Sequence, residues 1–240
     1  MRKDIVISSR RLLRILLSIF AILVVAHLCL QSLRFWSGDH FLHGLLAAFS
    51  LGAEQNFPTY FSTFVLLGCS AMLGVIGIGE TGEEGHGTIY WFALALIFLF
   101  LSMDEMMMIH ERLTEPVRAL VGDSYAPHYA WILPYGLMLV AIGIAYARFL
   151  FRLPRRTALL FVVSGVLYVS GAIGFETMSG VISSEVGNKN VTYVALQTIE
   201  EILEMIGAIF FLYALADYAE RKFVSLNICV TQQSGSAQAN

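Results

Sequence analysis

IFLFLSMDEMMMIHERLTEP, residues Ile97 to Pro116, begins as a helix fit for lipid and ends in charge. Asp104, Glu105, His110, Glu111 and Arg112 crowd its far end. A charge at bilayer depth costs about 2.5–3.5 kcal/mol on insertion scales, so ionisable groups there point to function before they point to packing. A second stretch, QTIEEILEMIG from Gln197 to Gly207, sets Glu200, Glu201 and Glu204 into another apolar helix. The rest of the chain reads as a means of holding these two stretches side by side in a membrane.

Composition agrees. At 240 residues, 57% hydrophobic and 14% charged, with mean hydropathy +0.70, the chain is too apolar for a water-soluble domain. Its apolar runs reach the roughly 20 residues that a helix needs to cross about 30 Å of hydrocarbon. The net charge of −3 comes with no basic block, so nucleic acid is excluded as a partner. Cys29, Cys69 and Cys229 show no CxxC spacing and read as small buried hydrophobes.

Working outward, the pattern predicts an all-α bundle of six transmembrane helices, at about 15–33, 58–78, 89–112, 128–151, 157–178 and 191–218, making one domain over 1–222. Residues 223–240 form a polar-ended tail. The basic start, MRKDIVISSRRLLR, precedes an apolar run too long for a cleaved signal, so the first helix stays. Residues 34–57 read as an outer loop with a piece lying in the interface. Asn56 followed by Pro58 starts the second span, as a cap with a proline in the first turn. Gly68, Ser70, Ala71, Gly74 and Gly77 there, and Ser164, Gly165, Ser170, Gly171 and Gly174 in the fifth span, offer small-residue faces for close helix approach. Segment 113–127, with Pro116, Gly122, Asp123 and Pro127, reads as a loop. Tyr129, Trp131 and Tyr135 read as an interfacial belt and Pro134 as a kink. Asn190 caps the sixth span.

Orientation follows from the Lys and Arg count. Six spans put eleven of the fifteen on the side that holds both ends, which makes that side cytoplasmic. Both acidic stretches then share the outer side, where an inverted three-plus-three repeat would have separated them.

Asp104 and Glu111, seven apart, face the same way on an unbroken helix. Glu105 and His110 lie about 100° to either side, so these groups meet at one centre only if the helix ends early. With Glu176 at the end of the fifth span, the outer end gathers seven carboxyls: Asp104, Glu105, Glu111, Glu176, Glu200, Glu201 and Glu204. Arg112 is the one cation near them in sequence. Like charges in a low dielectric cannot all ionise, so protons or a bound cation must compensate. Carboxylates with an imidazole suit a divalent metal such as zinc, manganese or iron, with Asp104, His110, Glu111, Glu200 and Glu204 as ligands and Glu105 or Glu201 as general base. The Glu-x-x-His spacing of di-iron bundles is absent, since Met108 stands where the histidine would be. His27 and His43 could supply a further imidazole, and Gln197 extends the glutamate face. Met103, Met106, Met107 and Met108 point all round the helix and read as packing.

FSLGAEQNFPTYFS (49–62), SMDEMMMIHERLTEP (102–116) and EEILEMIGAIFFLYAL (200–215) resemble an uncharacterised group of bacterial multi-pass inner-membrane proteins. The resemblance implies that membrane and this fold, with no activity, and it draws Glu54 into the candidate site. The expected function is a metal-dependent membrane enzyme, a hydrolase of a lipid-like substrate in the outer leaflet. A proton- or cation-coupled transporter and a structural or sensing subunit, with an acidic network tied to Arg112 and Gln197, are the alternatives.

Overall fold

The computed structural model describes residues 8–38, 42–81, 87–122, 129–187 and 190–223. Among them there is no strand. The helices are α1 (Ser9–Ser37), α2 (Leu45–Phe49), α3 (Phe57–Gly79), α4 (Thr88–Met107), α5 (Ile109–Val121), α6 (Ile132–Arg152), α7 (Arg155–Val169), α8 (Glu176–Val186) and α9 (Val191–Lys222). A π-helical turn, Ser170–Phe175, joins α7 to α8. Among the described residues five stretches are long and apolar enough to cross a membrane: α1, α3, α4, α6 and Arg155–Glu185. The stretch expected as a sixth span, α9, stands at the centre of the molecule. Its residues Met205, Gly207, Ala208 and Ile209 are buried, as are most positions onward to Ala219.

The other helices gather round α9. The α3–α4 pair lies on one side, α7 with the π turn on another, and α1 on a third. Small residues set these approaches. A side chain on Gly207 would come within 2.7 Å of the Tyr168 backbone, one on Gly171 within 2.6 Å of the Glu200 carbonyl, and one on Gly68 within 3.2 Å of Leu212. The end of α9 away from the glutamates is clasped by charge. Asp217 takes Arg156 at 3.3 Å and Arg221 at 2.8 Å, and Glu80 takes Lys222 at 2.7 Å.

Helix α6 is the exception. Of its residues only Phe149 is buried, and it touches the rest of the bundle chiefly at its two ends. Tyr146 and Phe149 pack on Tyr90 and Trp91 at one end. Trp131, just before the helix, and Tyr135 in its first turns meet His110 at the other.

Both predicted caps form. The Asn56 side chain accepts from the Thr59 amide at 3.1 Å, and Asn190 accepts from Thr192 at 2.8 Å. Asn56 also donates to Ala47 and Ser50 carbonyls, which ties the short interfacial helix α2 to the head of α3. His27 does the same work from α1. Its Nδ1 accepts from the Leu51 amide at 3.0 Å, so Nε2 carries the proton and meets Thr198 Oγ1 at 2.9 Å. The Thr198 hydroxyl in turn donates a hydrogen bond to the Val194 carbonyl. Every polar atom of this buried imidazole is used, and His27 is a structural pin.

Several expectations need correction. The third span stops at Met107, and 109–121, expected largely as loop, is an amphipathic helix. Pro134 sits in the first turn of α6, where a missing N–H costs nothing, and makes no kink. Cys29 is exposed, whereas Cys69 is buried as expected. The turn around 82–86, the residues 123–128, Cys229 and the tail from 224 lie outside the described residues.

Replacing His27 by leucine leaves the Leu51 amide and the Thr198 hydroxyl without their partner, at a cost of about 1–3 kcal/mol. The expected result is a lower melting temperature in detergent, with helix content by circular dichroism unchanged at low temperature.

Candidate functional site

Met108 decides where the acidic end of α4 points. It adopts the left-handed conformation, φ 55° and ψ 45°, which ends α4 and turns the chain into α5. Asp104 then fastens the new helix. Its Oδ1 accepts from the His110 amide at 2.7 Å, and its Oδ2 lies 3.2 Å from His110 Nδ1. One carboxylate thus caps the start of α5 and holds the first imidazole of that helix.

The His110 ring packs on Trp131, centroids 4.9 Å apart. Trp131 is almost wholly buried and donates its indole N–H to Glu176 Oε1 at 3.0 Å. Ser179 Oγ stands 3.2 Å from Glu200 Oε2, and the Ser62 hydroxyl hydrogen-bonds Glu105. Glu201 and Glu204 make no hydrogen bond to the described residues and stand among Glu105, Glu200 and Glu176. Glu204 gains its place because Gly171, in the π turn, has no side chain to displace it.

These groups form the polar end of one cavity of about 460 Å³. Glu54, Asp104, Glu105, His110, Glu176, Gln197, Glu200, Glu201 and Glu204 line it, with Glu111 at an exposed edge. Below them the wall turns apolar, running between α6 and the faces of α4, α7 and α9 down to Phe149, Phe161 and Phe211. The hollow exists because α6 is fastened at its ends and not along its length.

The expected residues are therefore mostly brought together. Arg112 is exposed and forms no ion pair with a described carboxylate, so the network expected around it does not form. His43 is exposed and does not line the cavity, and His27 is spent on α1 and α9. Among the described residues no three His, Cys, Asp or Glu side chains converge closely enough to share a metal ion. Sequence reasoning set Trp131 and Tyr135 at a lipid interface, whereas they face inward. Their i,i+4 spacing, which puts both on one helix face, carried that signal.

Glu54 and His110, outside the spans, are displaced from their ordinary protonation. Burial raises Glu54 to about 7, helped by the charges of Glu105 and Glu111. Burial works to lower His110, but its hydrogen bond to Asp104 and the Asp104, Glu176 and Glu54 charges outweigh it and lift the imidazole to about 9. At neutral pH His110 is a cation held by Asp104.

An all-helical, membrane-type bundle with an acid-lined, apolar-bodied cavity is the class these features define. The family model described as Domain of unknown function (DUF8692) matches residues 16–218, and the chain belongs to that family. No curated protein and no solved structure matches the chain.

Asp104→Asn weakens its hold on the charged imidazole and should lower stability by about 1–3 kcal/mol. Glu204→Gln removes a crowded carboxylate that has no partner, so it should melt at or above the wild-type temperature. Detergent melts of the two variants give these opposite signs. In the wild type, folding favours protonated His110, so that stabilisation is whole below 6.5 and is lost as pH rises through about 9. Melting temperature should fall over that range, and less steeply in His110→Gln.

Proposed function

We propose that this protein is a membrane-embedded hydrolase of a lipid-like substrate, with its site in the outer leaflet of a bacterial inner membrane. In this reading α9 is the sixth crossing. At 32 residues and about 1.5 Å per residue, it is long enough. Both termini are cytoplasmic, on the side that holds eleven of the fifteen Lys and Arg.

The observation that carries the reading is the cavity itself, apolar along its body and closed at one end by an Asp104–His110 pair among carboxylates. A substrate tail fits the body and its head meets the acids. Glu201, with no hydrogen bond to the described residues, takes a proton from water as the water oxygen attacks the head-group carbonyl. His110, charged and oriented by Asp104, gives its proton to the leaving group. Glu201 then returns a proton to His110, and the site is reset. The aromatic floor at Phe149, Phe161 and Phe211 favours this over a carrier, which needs a way through.

A divalent zinc, manganese or iron ion remains the alternative relief for the crowded acids. Because the donors as placed do not converge, no step is routed through it.

The test is turnover of a bacterial lipid extract by purified protein in vesicles, followed by mass spectrometry. His110→Gln and Glu201→Gln should each slow product formation by about 10²–10⁴-fold without lowering protein yield. Loss of turnover on chelation, with stoichiometric metal in the purified protein, would replace this mechanism with a metal-based one. Ion flux in proteoliposomes that Glu204→Gln abolishes would replace the enzyme with a transporter. A periplasmic C-terminus in tag-accessibility mapping would overturn the six-span arrangement.

A further inference from the structure

Two glycines separate the hollow from the packed parts of the bundle. Gly143 on α6 and Gly165 on α7 both line the cavity, and a side chain begun at either would meet nothing within 4 Å. Gly171 and Gly207 differ, since neighbouring backbone fills the space beside them. The chamber is therefore room the chain leaves open along two facing helices.

Its length and floor limit what enters. From Ala172 in the π turn to Phe161 on α7 is eleven residues, about 16 Å of helix at 1.5 Å per residue. Phe161 packs on Phe211 at 4.6 Å and Trp91 on Phe149 at 5.0 Å, so the floor is closed by rings in contact.

The head end is as selective. Among the described residues no lysine or arginine lines the cavity, and the His110 imidazolium is already matched by Asp104. What faces the ligand's head is carboxyl, above all Glu201 and Glu204, which make no hydrogen bond to the described residues. An ammonium group would meet acceptors there and supply the positive charge that lets crowded carboxyls ionise, which a phosphate or carboxylate head would not.

Resting on the lipid-like substrate proposed above, we infer that the ligand of this cavity is an amphiphile with an amine-bearing head, its ammonium among Glu200, Glu201 and Glu204 and its tail on the Phe149–Phe161 floor.

The experiment uses the full chain in phosphatidylcholine nanodiscs and a hexadecylamine carrying a photoreactive diazirine at the end of its tail. Labelling should saturate, map to peptides of α6 and α7 near Phe149 and Phe161, and be competed by unlabelled hexadecylamine. Hexadecyl phosphate and hexadecanoate should compete at least tenfold less well. Gly143→Leu and Gly165→Leu, which fill the chamber without a clash, should cut labelling at least tenfold while melting no lower than wild type. Glu201→Gln with Glu204→Gln should let hexadecanol compete as well as the amine. If the phosphate or the carboxylate competes equally, the amine head is wrong while a lipid-like ligand stands. If hexadecylamine, phosphate and carboxylate probes all fail to label the chamber, and the leucine variants keep wild-type turnover, the tail seat and the lipid-like substrate fall together.

Discussion

The arrangement of the polar end depends on one carboxylate, Asp104. Carried to its own end by α4, it holds both the amide and the ring of His110 and so fixes the direction in which α5 leaves. Had α4 run on as a straight helix, Glu105 and His110 would have pointed to opposite flanks. The left-handed residue at Met108 supplies the turn, and Asp104 supplies the bond that makes the turn worth keeping. His110 then stacks on Trp131, Trp131 reaches Glu176, and the neighbouring ends of α4, α6 and α8 are joined through a single line of contacts.

The central helix is held at both ends by different means. Toward the cytoplasmic side expected from the Lys and Arg count, α9 is clasped by ion pairs on Asp217 and Glu80. Toward the other it is pinned through Thr198 and His27 and bears the glutamates. The chain gathers like charge where it has also built a hollow, and keeps its paired charge where packing is tight. Paired charge and the proposed site thus lie at opposite ends of one helix.

Much of this was legible in the sequence, for definite reasons. The spans announce themselves by apolar length, and Asn56 and Asn190 announce two helix starts by cap chemistry that needs no tertiary context. Acids inside apolar runs mark the site, because nothing in lipid tolerates them idly. What could not be read depended on contacts remote in sequence. A left-handed methionine is not a residue-type signal, since glycine or asparagine usually takes that conformation. Trp131 looked like a headgroup anchor because its partner, Glu176, lies forty-five residues on. The hollow had no signature at all, since α6 is apolar whether it faces lipid or a cavity.

The π turn at Ser170–Phe175 has a consequence for how this family can vary. A π turn holds one residue more than the α-helix would, so the segment beyond it is rotated by about 100°. Gly171, within that turn, is keyed to α9, while Glu176, just past it, is keyed to Trp131. The two keys fit different locks only because the phase slips between them. Phase is a property of residue count and not of residue type. Gly171 apart, substitutions between 170 and 175 can be absorbed, but the loss or gain of a single residue there turns Glu176 out of the cavity and takes the rest of α8 with it.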